Sequence, residues 1–363
     1  MLALVASRST KLAEVEGHLD RCGECRGVLA ELVRASRSST DHVPRARVAP
    51  RARVAPRAPG PARIDPRRRT EKDDLTTPGE LVGERFVLER QLGEGGAGVV
   101  WAARDLATGT TRALKLLHTC SADHVRRLRR EAAVLASIRH PSIVFVHEIV
   151  ETVRRGPILV MELLEGEPLE ARLEGGRTLT AAELAPIARG ILSALSAAHA
   201  RGVVHRDLKP ANVFLERGAR ECGAREHGEG EHGEGETVRV LDFGMAKLDG
   251  GWQTAGLTPS ITRSGTLMGT PLYMAPEQVF GERGVDGRAD LWAFGVILHR
   301  ALSGAMPVEA RTFAELMKAL ASGHVRRFPA AGAMGDLVDR LLSIDPVRRP
   351  SLADLVLFFE LQA

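Results

Sequence analysis

With 363 residues, 44% of them hydrophobic, the chain can bury a substantial core in one large domain or two smaller ones. No apolar run approaches the length of a bilayer span, and the opening "MLALVAS" is too short for the apolar region of a secretion signal. Four unevenly placed cysteines do not make a disulfide framework, so a reduced, cytoplasmic protein without a membrane span is expected.

The net charge of +4 is concentrated. Residues 44–69 hold nine arginines against Asp65, +8, which leaves −4 for the rest. Any attraction to nucleic acid or membrane is confined to that stretch, and nucleic acid is not an expected partner of the remainder.

From the amino terminus, residues 1–40 form a helical segment in which His18, Cys22 and Cys25 are spaced H-x3-C-x2-C. Thiolates and imidazole at that spacing suit tetrahedral Zn2+. Residues 1–17 contain no Cys or His, so either the start is truncated, or Glu14 or Glu16 substitutes as the fourth ligand, or the site is degenerate, and a metal-free helical hairpin stands beside the zinc reading. Residues 41–80 follow as a linker. Six prolines and scattered arginines in 44–69, with "RARVAP" repeated, cannot bury a core and favour extended geometry; the alternative is a basic docking tail.

Globular patterning begins near Phe86, and a domain is expected over residues 84–363. "RFVLERQLG", "GVVWAAR" and "TRALKLL" read as strands, residues 122–138 as an amphipathic helix, and "SIVFVHEIV" and "PILVMEL" as two further strands. Helices are expected at 181–201, 288–303, 312–322, 335–343 and 352–361. The order describes an α+β protein with a small β-rich lobe before a larger helical one, and the cleft between such lobes is a favoured ligand site. Residues 218–236 interrupt the helical lobe with the repeat "EHGEGEHGEGE". Its histidines invite a metal reading, but its glycines give no preorganised site, so a flexible loop insertion is expected.

Chemistry-bearing residues occur at intervals. In "LGEGGAGVV", Gly93, Gly95 and Gly98 lie between two strands, where backbone N–H groups can approach polyphosphate; a tight hairpin is the plainer reading. A strand rather than a helix follows, which disfavours a dinucleotide fold. Lys115 alternates with apolar neighbours and points its ammonium into the cleft, where it needs a partner; Glu131 of the 122–138 helix is the candidate. In "HRDLKPANVFL", Asp207 can accept a hydroxyl proton, Lys209 can neutralise a transferring phosphoryl and Asn212 can reach a metal. Asp242 of "VLDFG" ends a strand where Mg2+ bridging phosphates would want a carboxylate.

Glycine loop, strand lysine, helix glutamate, Asp…Asn and Asp-Phe-Gly in this order resemble the eukaryotic-like (Hanks-type) Ser/Thr protein kinases of bacteria over residues 86–361. "HPSIV", "MAPEQ", "DLWAFG" and "DPVRRPS" add to the resemblance. It implies a two-lobed protein-kinase fold that uses ATP and Mg2+ (or Mn2+). By the same resemblance, Met161 is the gatekeeper, and backbone groups of Glu162 and Leu164 bond adenine. Leu92, Val100, Ala113 and Phe214 line the nucleotide. Leu135, Val146, His205 and Phe243 stack between the lobes, anchored through Asp290, and Glu277 pairs with Arg349.

Lys209 and Thr270 would bridge Asp207 near a Ser or Thr acceptor, so protein substrates are the implied partners. Arg206 beside Asp207 is a cation in need of a partner. This implies a phosphate on the activation loop, at Thr266 first and at Thr262 or Ser264 otherwise, placed by autophosphorylation in a transient homodimer. Ala97 departs from the larger apolar residue usual at the glycine-loop tip, and the 218–236 insertion is longer than the usual hairpin. The amino terminus resembles the zinc-finger of anti-sigma factors and would bind a protein partner. Two rivals use the same fold: a pseudokinase scaffold, and phosphotransfer to a small molecule.

Overall fold

A computed structural model describes residues 76–95, 98–117, 137–152, 156–217, 236–243, 270–282 and 284–361. All of them belong to the second of two compact units, Lys72–Ala363. The helix expected at 122–138, with Glu131 and Leu135, lies outside these residues up to 136, as do His18, Cys22, Cys25, Ala97, Thr262, Ser264, Thr266 and the insertion to residue 235.

Strands β1 (Leu81–Val82), β2 (Phe86–Gly95), β3 (Gly98–Asp105), β4 (Thr111–Leu117), β5 (Val146–Thr152) and β6 (Gly156–Met161) form one antiparallel sheet in the order β1-β2-β3-β4-β6-β5. Alternation sorts their side chains by face. Trp101 and Ala103 of β3, Leu114 and Leu116 of β4, and Ile158 and Val160 of β6 share one cluster with Phe86 and Leu88. The intervening Ala113, Leu159 and Met161 form another with Val144 and Val146, against which Val100, Leu164 and Leu241 pack. Lys115 is in register with Val100 and Leu159, on this second face.

The strand expected from Ser142 begins four residues later, at Val146. Its leading residues use their backbone groups on the other lobe instead: Val240 N donates to Ser142 O at 2.8 Å, and Val144 N to Val240 O at 3.1 Å. Satisfying backbone groups across the junction wins over extending the sheet.

A three-stranded sheet of β7 (Gly166–Pro168), β8 (Val213–Glu216) and β9 (Thr237–Val240) lies at the start of the helical lobe. Its helices are α1 (Leu169–Arg172), α2 (Ala181–His199), α3 (Pro276–Val279), α4 (Arg288–Ser303), α5 (Phe313–Ala321), α6 (Ala333–Leu341) and α7 (Leu352–Glu360). Capping boxes at Thr180/Glu183 and Ser351/Asp354 start α2 and α7. Helix α4 is buried nearly all round, from Ala289 to Leu298, which marks it as the central rod of the lobe. Phe294 meets Phe359 of α7 edge to face at 6.0 Å.

Each lobe also holds a buried ion pair. Asp105, 1% exposed, receives Arg85 in two bonds of 2.7 and 2.6 Å, and Arg85 reaches Glu148 of β5 at 2.7 Å. The guanidinium holds the Asp105 carboxyl well below the ordinary carboxylate range, against the opposing effect of burial. In the helical lobe, Arg349 donates to Glu277 at 2.6 and 2.8 Å and to the carbonyls of Arg288 and Ser343. This is the pairing the resemblance implies.

Candidate active site

The site is built from the loop between α2 and β8. Asp290, 1% exposed in the first turn of α4, accepts from His205 N at 2.9 Å, from Arg206 N at 2.8 Å and from His199 Nε2 at 2.7 Å. Gln278 Nε2 donates to Arg206 O at 2.8 Å. These bonds hold Arg206 at a φ of 67°, a strained value for a side-chain-bearing residue. The strain is sustained because the peptide groups on both sides are fixed. The Arg206 side chain donates from Nη2 to Val285 O at 3.2 Å.

His205 is fully buried. Its Nδ1 accepts from Asp207 N at 3.3 Å, so Nε2 carries the proton and donates to Leu241 O at 2.8 Å. Its ring packs on Phe243 at 4.6 Å. The helical-lobe half of the expected stack, His205 with Phe243, is thereby in contact, and Val146 is buried across the junction.

Asp207 comes next. Its Oδ2 accepts from Lys209 Nζ at 2.9 Å and from Asn212 Nδ2 at 3.3 Å, and the same amide nitrogen donates to Asp207 O at 2.8 Å. Commitment of that nitrogen leaves the Asn212 carbonyl oxygen as the coordinating end of the side chain. Leu241 N donates to Asn212 O at 2.8 Å, which ties this loop to the residue before Asp242.

Asp242 adopts a φ of 57°, and its Oδ2 lies 2.7 Å from Lys115 Nζ. Lys115 is 4% exposed. A buried ammonium requires a counter-charge, and among the described residues Asp242 supplies one. The sequence points to Glu131 for this role, which lies outside the described residues.

Above the carboxylates, the three loop glycines differ. Gly98 has a φ of 154°, and a Cβ there would lie 2.1 Å from Leu116 O, so strand β4 itself requires glycine. A Cβ added at Gly93 or Gly95 would meet no described atom within 4 Å, so the side-chain face of each is open to an approaching ligand. Leu92 sits at a bulge in β2, 38% exposed. Val100, Ala113, Met161 and Leu164 gather in one apolar cluster. Phe214 does not join it and stands half-buried on β8. Glu162 N is spent on Phe145 O at 3.1 Å, so of that residue's backbone only the carbonyl is left for a base. Thr270 opens a 3-10 turn, Thr270–Tyr273.

Among the described residues no three His, Cys, Asp or Glu side chains gather as a metal cage. The donor set of Asn212 and Asp242 still fits Mg2+, a hard cation that takes one or two protein oxygens and completes its shell with phosphate and water. Two supporting groups escaped the sequence reading. His199 stands eight residues before Asp207 at the end of an unremarkable "LSAAH". Arg239 of β9 bonds Glu216 at 2.7 Å and lies 3.5 Å from Glu162.

A family model described as protein kinase domain matches residues 86–357. The chain is 42% identical over 233 residues to serine/threonine-protein kinase Pkn1 of Myxococcus xanthus, covering 62% of this chain and 30% of that protein. It is 34% identical over 290 residues to pkn3 of the same organism, covering 76% and 49%, and 33% identical over 291 residues to PkaA of Streptomyces coelicolor, covering 76% and 49%. The chain therefore spans a third to a half of the length of these curated relatives. A crystal structure of Rad53 1–466 in complex with AMP-PNP superposes with a TM-score of 0.57 at 26% identity, over 75% of this chain and 64% of that one.

Proposed function

From the premise that this chain belongs to the protein kinase family, with its two-lobed α+β fold, we propose that it transfers the γ-phosphoryl of ATP to Ser or Thr hydroxyls of proteins. The observation that carries this reading is the convergence of Asp207, Lys209 and Asn212 in one hydrogen-bonded network, joined through Leu241 to the Asp242–Lys115 pair.

In this reading Asp207 orients the acceptor hydroxyl and takes its proton at Oδ2, while Lys209, already 2.9 Å away, steadies charge on the moving phosphoryl. Lys115 and the backbone of Gly93 and Gly95 hold the phosphates. Glu131 orients Lys115, and Thr270 bridges Lys209 to the acceptor. Mg2+, held by Asn212 and Asp242, supplies neutralisation of the phosphate oxygens. The cluster of Val100, Ala113, Met161 and Leu164 covers the adenine from one side and excludes water.

Beyond the described residues, Thr266 takes the activating phosphate, with Thr262 and Ser264 as alternates, in a transient homodimer. Residues 1–40 recruit a protein partner, with zinc on His18, Cys22 and Cys25, and 41–80 act as a linker to the kinase domain at 84–363. The protein works in the cytoplasm; among the described residues no helix is long and apolar enough to cross a membrane.

Incubation of the full chain with ATP and Mg2+, beside Asp207→Asn, followed by mapping of phosphosites, tests the reading. Phosphate on the 262–266 segment in the wild type alone is expected. No transfer to the chain or to generic acceptors, with ATP still bound, would favour the scaffold. Metal analysis of the same protein tests the amino terminus, where one zinc per chain is expected and none would end that claim.

A further inference from the structure

Tyr273, the chain's single tyrosine, ends the Thr270–Tyr273 turn and is 7% exposed. Its hydroxyl accepts from Arg300 Nη1 at 2.5 Å. Arg300, in the last turn of α4, also donates from both terminal nitrogens to Glu170 of α1, at 2.9 Å each, and more weakly to Leu173 O at 3.4 Å. One planar guanidinium thus joins three elements, with a bidentate carboxylate fixing its plane. Burial pushes the Tyr273 phenol up, with Arg300 acting in the opposite sense, so the hydroxyl is neutral and its oxygen free to accept.

The turn leads directly into α3, which is pinned elsewhere. Gln278 bonds Arg206 O in the catalytic loop, and Glu277 bonds Arg349. Those two contacts fix the far end of the 270–279 segment, and Arg300 fixes the near end. The element on the other side of Arg300 is α1, which starts directly after β7 and hence a few residues after the adenine-facing Glu162 and Leu164.

We propose that Arg300 is a positioning residue for the acceptor protein: by clamping Tyr273 to Glu170 it sets the height of the 270–273 turn on which the acceptor chain rests beside Asp207. The proposal rests on the kinase reading and on that turn as the acceptor platform. The bonds of Arg300 go to Tyr273, Glu170 and Leu173, not to the groups that hold the nucleotide in this reading. Its loss therefore acts on acceptor binding while the nucleotide-holding groups on the β-lobe stay as they are.

The test is steady-state phosphorylation of casein by the full chain and by Arg300→Met, Arg300→Lys and Tyr273→Phe, varying casein and ATP separately. Arg300→Met raises the KM for casein about tenfold and Tyr273→Phe about threefold, while the KM for ATP moves less than about twofold. Arg300→Lys recovers part of the loss, because one ammonium can reach one partner but not both. If Arg300→Met fails to fold, the Tyr273→Phe split decides alone, since that change removes one hydroxyl and leaves the Arg300–Glu170 pair intact. An unchanged KM for casein with wild-type turnover overturns the proposal but not the kinase reading. A parallel rise in the KM values for casein and ATP with a lowered melting temperature assigns Arg300 a merely structural role and overturns the proposal. Absence of any transfer by the wild type overturns both.

Discussion

The two lobes are stabilised by opposite means. The helical lobe surrounds a rod, α4, whose side chains from Ala289 to Leu298 are buried, and its ion pair Arg349–Glu277 is sealed with side-chain exposures of 0% and 8%. The β-lobe divides its apolar residues into two smaller clusters on the faces of one sheet, and its ion pair reaches the rim, where Arg85 is 33% exposed and Glu148 41%. The difference matches the work each does. Among the described residues, the side chains of Asp290, Gln278 and Asn212 that shape the Asp207 loop all belong to the helical lobe, whereas in the proposed function the β-lobe contributes a lysine and glycines that accommodate a ligand.

The comparison can be broken most directly at the sealed pair. Glu277→Gln leaves Arg349 buried without its counter-charge and should cost about 3–5 kcal/mol in denaturant unfolding. A loss below about 1 kcal/mol would mean that the helical lobe does not depend on this pin. At the rim, Asp105→Asn should cost less, about 1–3 kcal/mol at neutral pH, because Arg85 keeps Glu148 and water as partners. Because the folded Asp105 carboxyl is depressed, its contribution is present above the unfolded Asp value of about 3.9 and is lost as pH falls below it. Acid titration of the wild type should therefore show a limb in that range which Asp105→Asn lacks; identical limbs would remove the carboxylate from the account.

Gly98→Ala sharpens the comparison from the glycine loop. The added Cβ would meet Leu116 O, so strand β3 must withdraw from β4 at a cost of about 1–3 kcal/mol confined to the β-lobe, read as faster amide exchange in β3 and β4. The smallest effect belongs to His299, fully buried in α4 and held below the ordinary imidazole range by burial. A depressed imidazole contributes above its unfolded value of about 6.5 and loses that contribution as pH falls. His299→Gln should flatten a limb of under about 1 kcal/mol that opens as pH falls below about 6.5. The helical lobe thus softens first on acidification and the rim pair of the β-lobe later.

Much of this was legible in the sequence wherever a residue's role depends on near neighbours. Alternation located β3 and β4, and the run from Asp207 to Asn212 closes its own network within five residues. What escaped depends on distant partners. Residues 142–145 carry a strand's apolar pattern, yet the Ser142 carbonyl and the Val144 amide bond Val240 of the other lobe. Arg300 and Glu170 lie 130 positions apart and belong to no short motif.

The Lys115–Asp242 contact has a consequence for how a nucleotide enters. Each of these groups already serves as the other's counterion, 2.7 Å apart. In the proposed function, arrival of a polyphosphate with its metal would be an exchange of partners, in which Lys115 would turn to an oxyanion and Asp242 to the cation. A polyphosphate without metal would satisfy the lysine and strand the aspartate beside a second negative charge. In that reading nucleotide and metal would be thermodynamically linked before any transfer occurs, and each should tighten the other's binding.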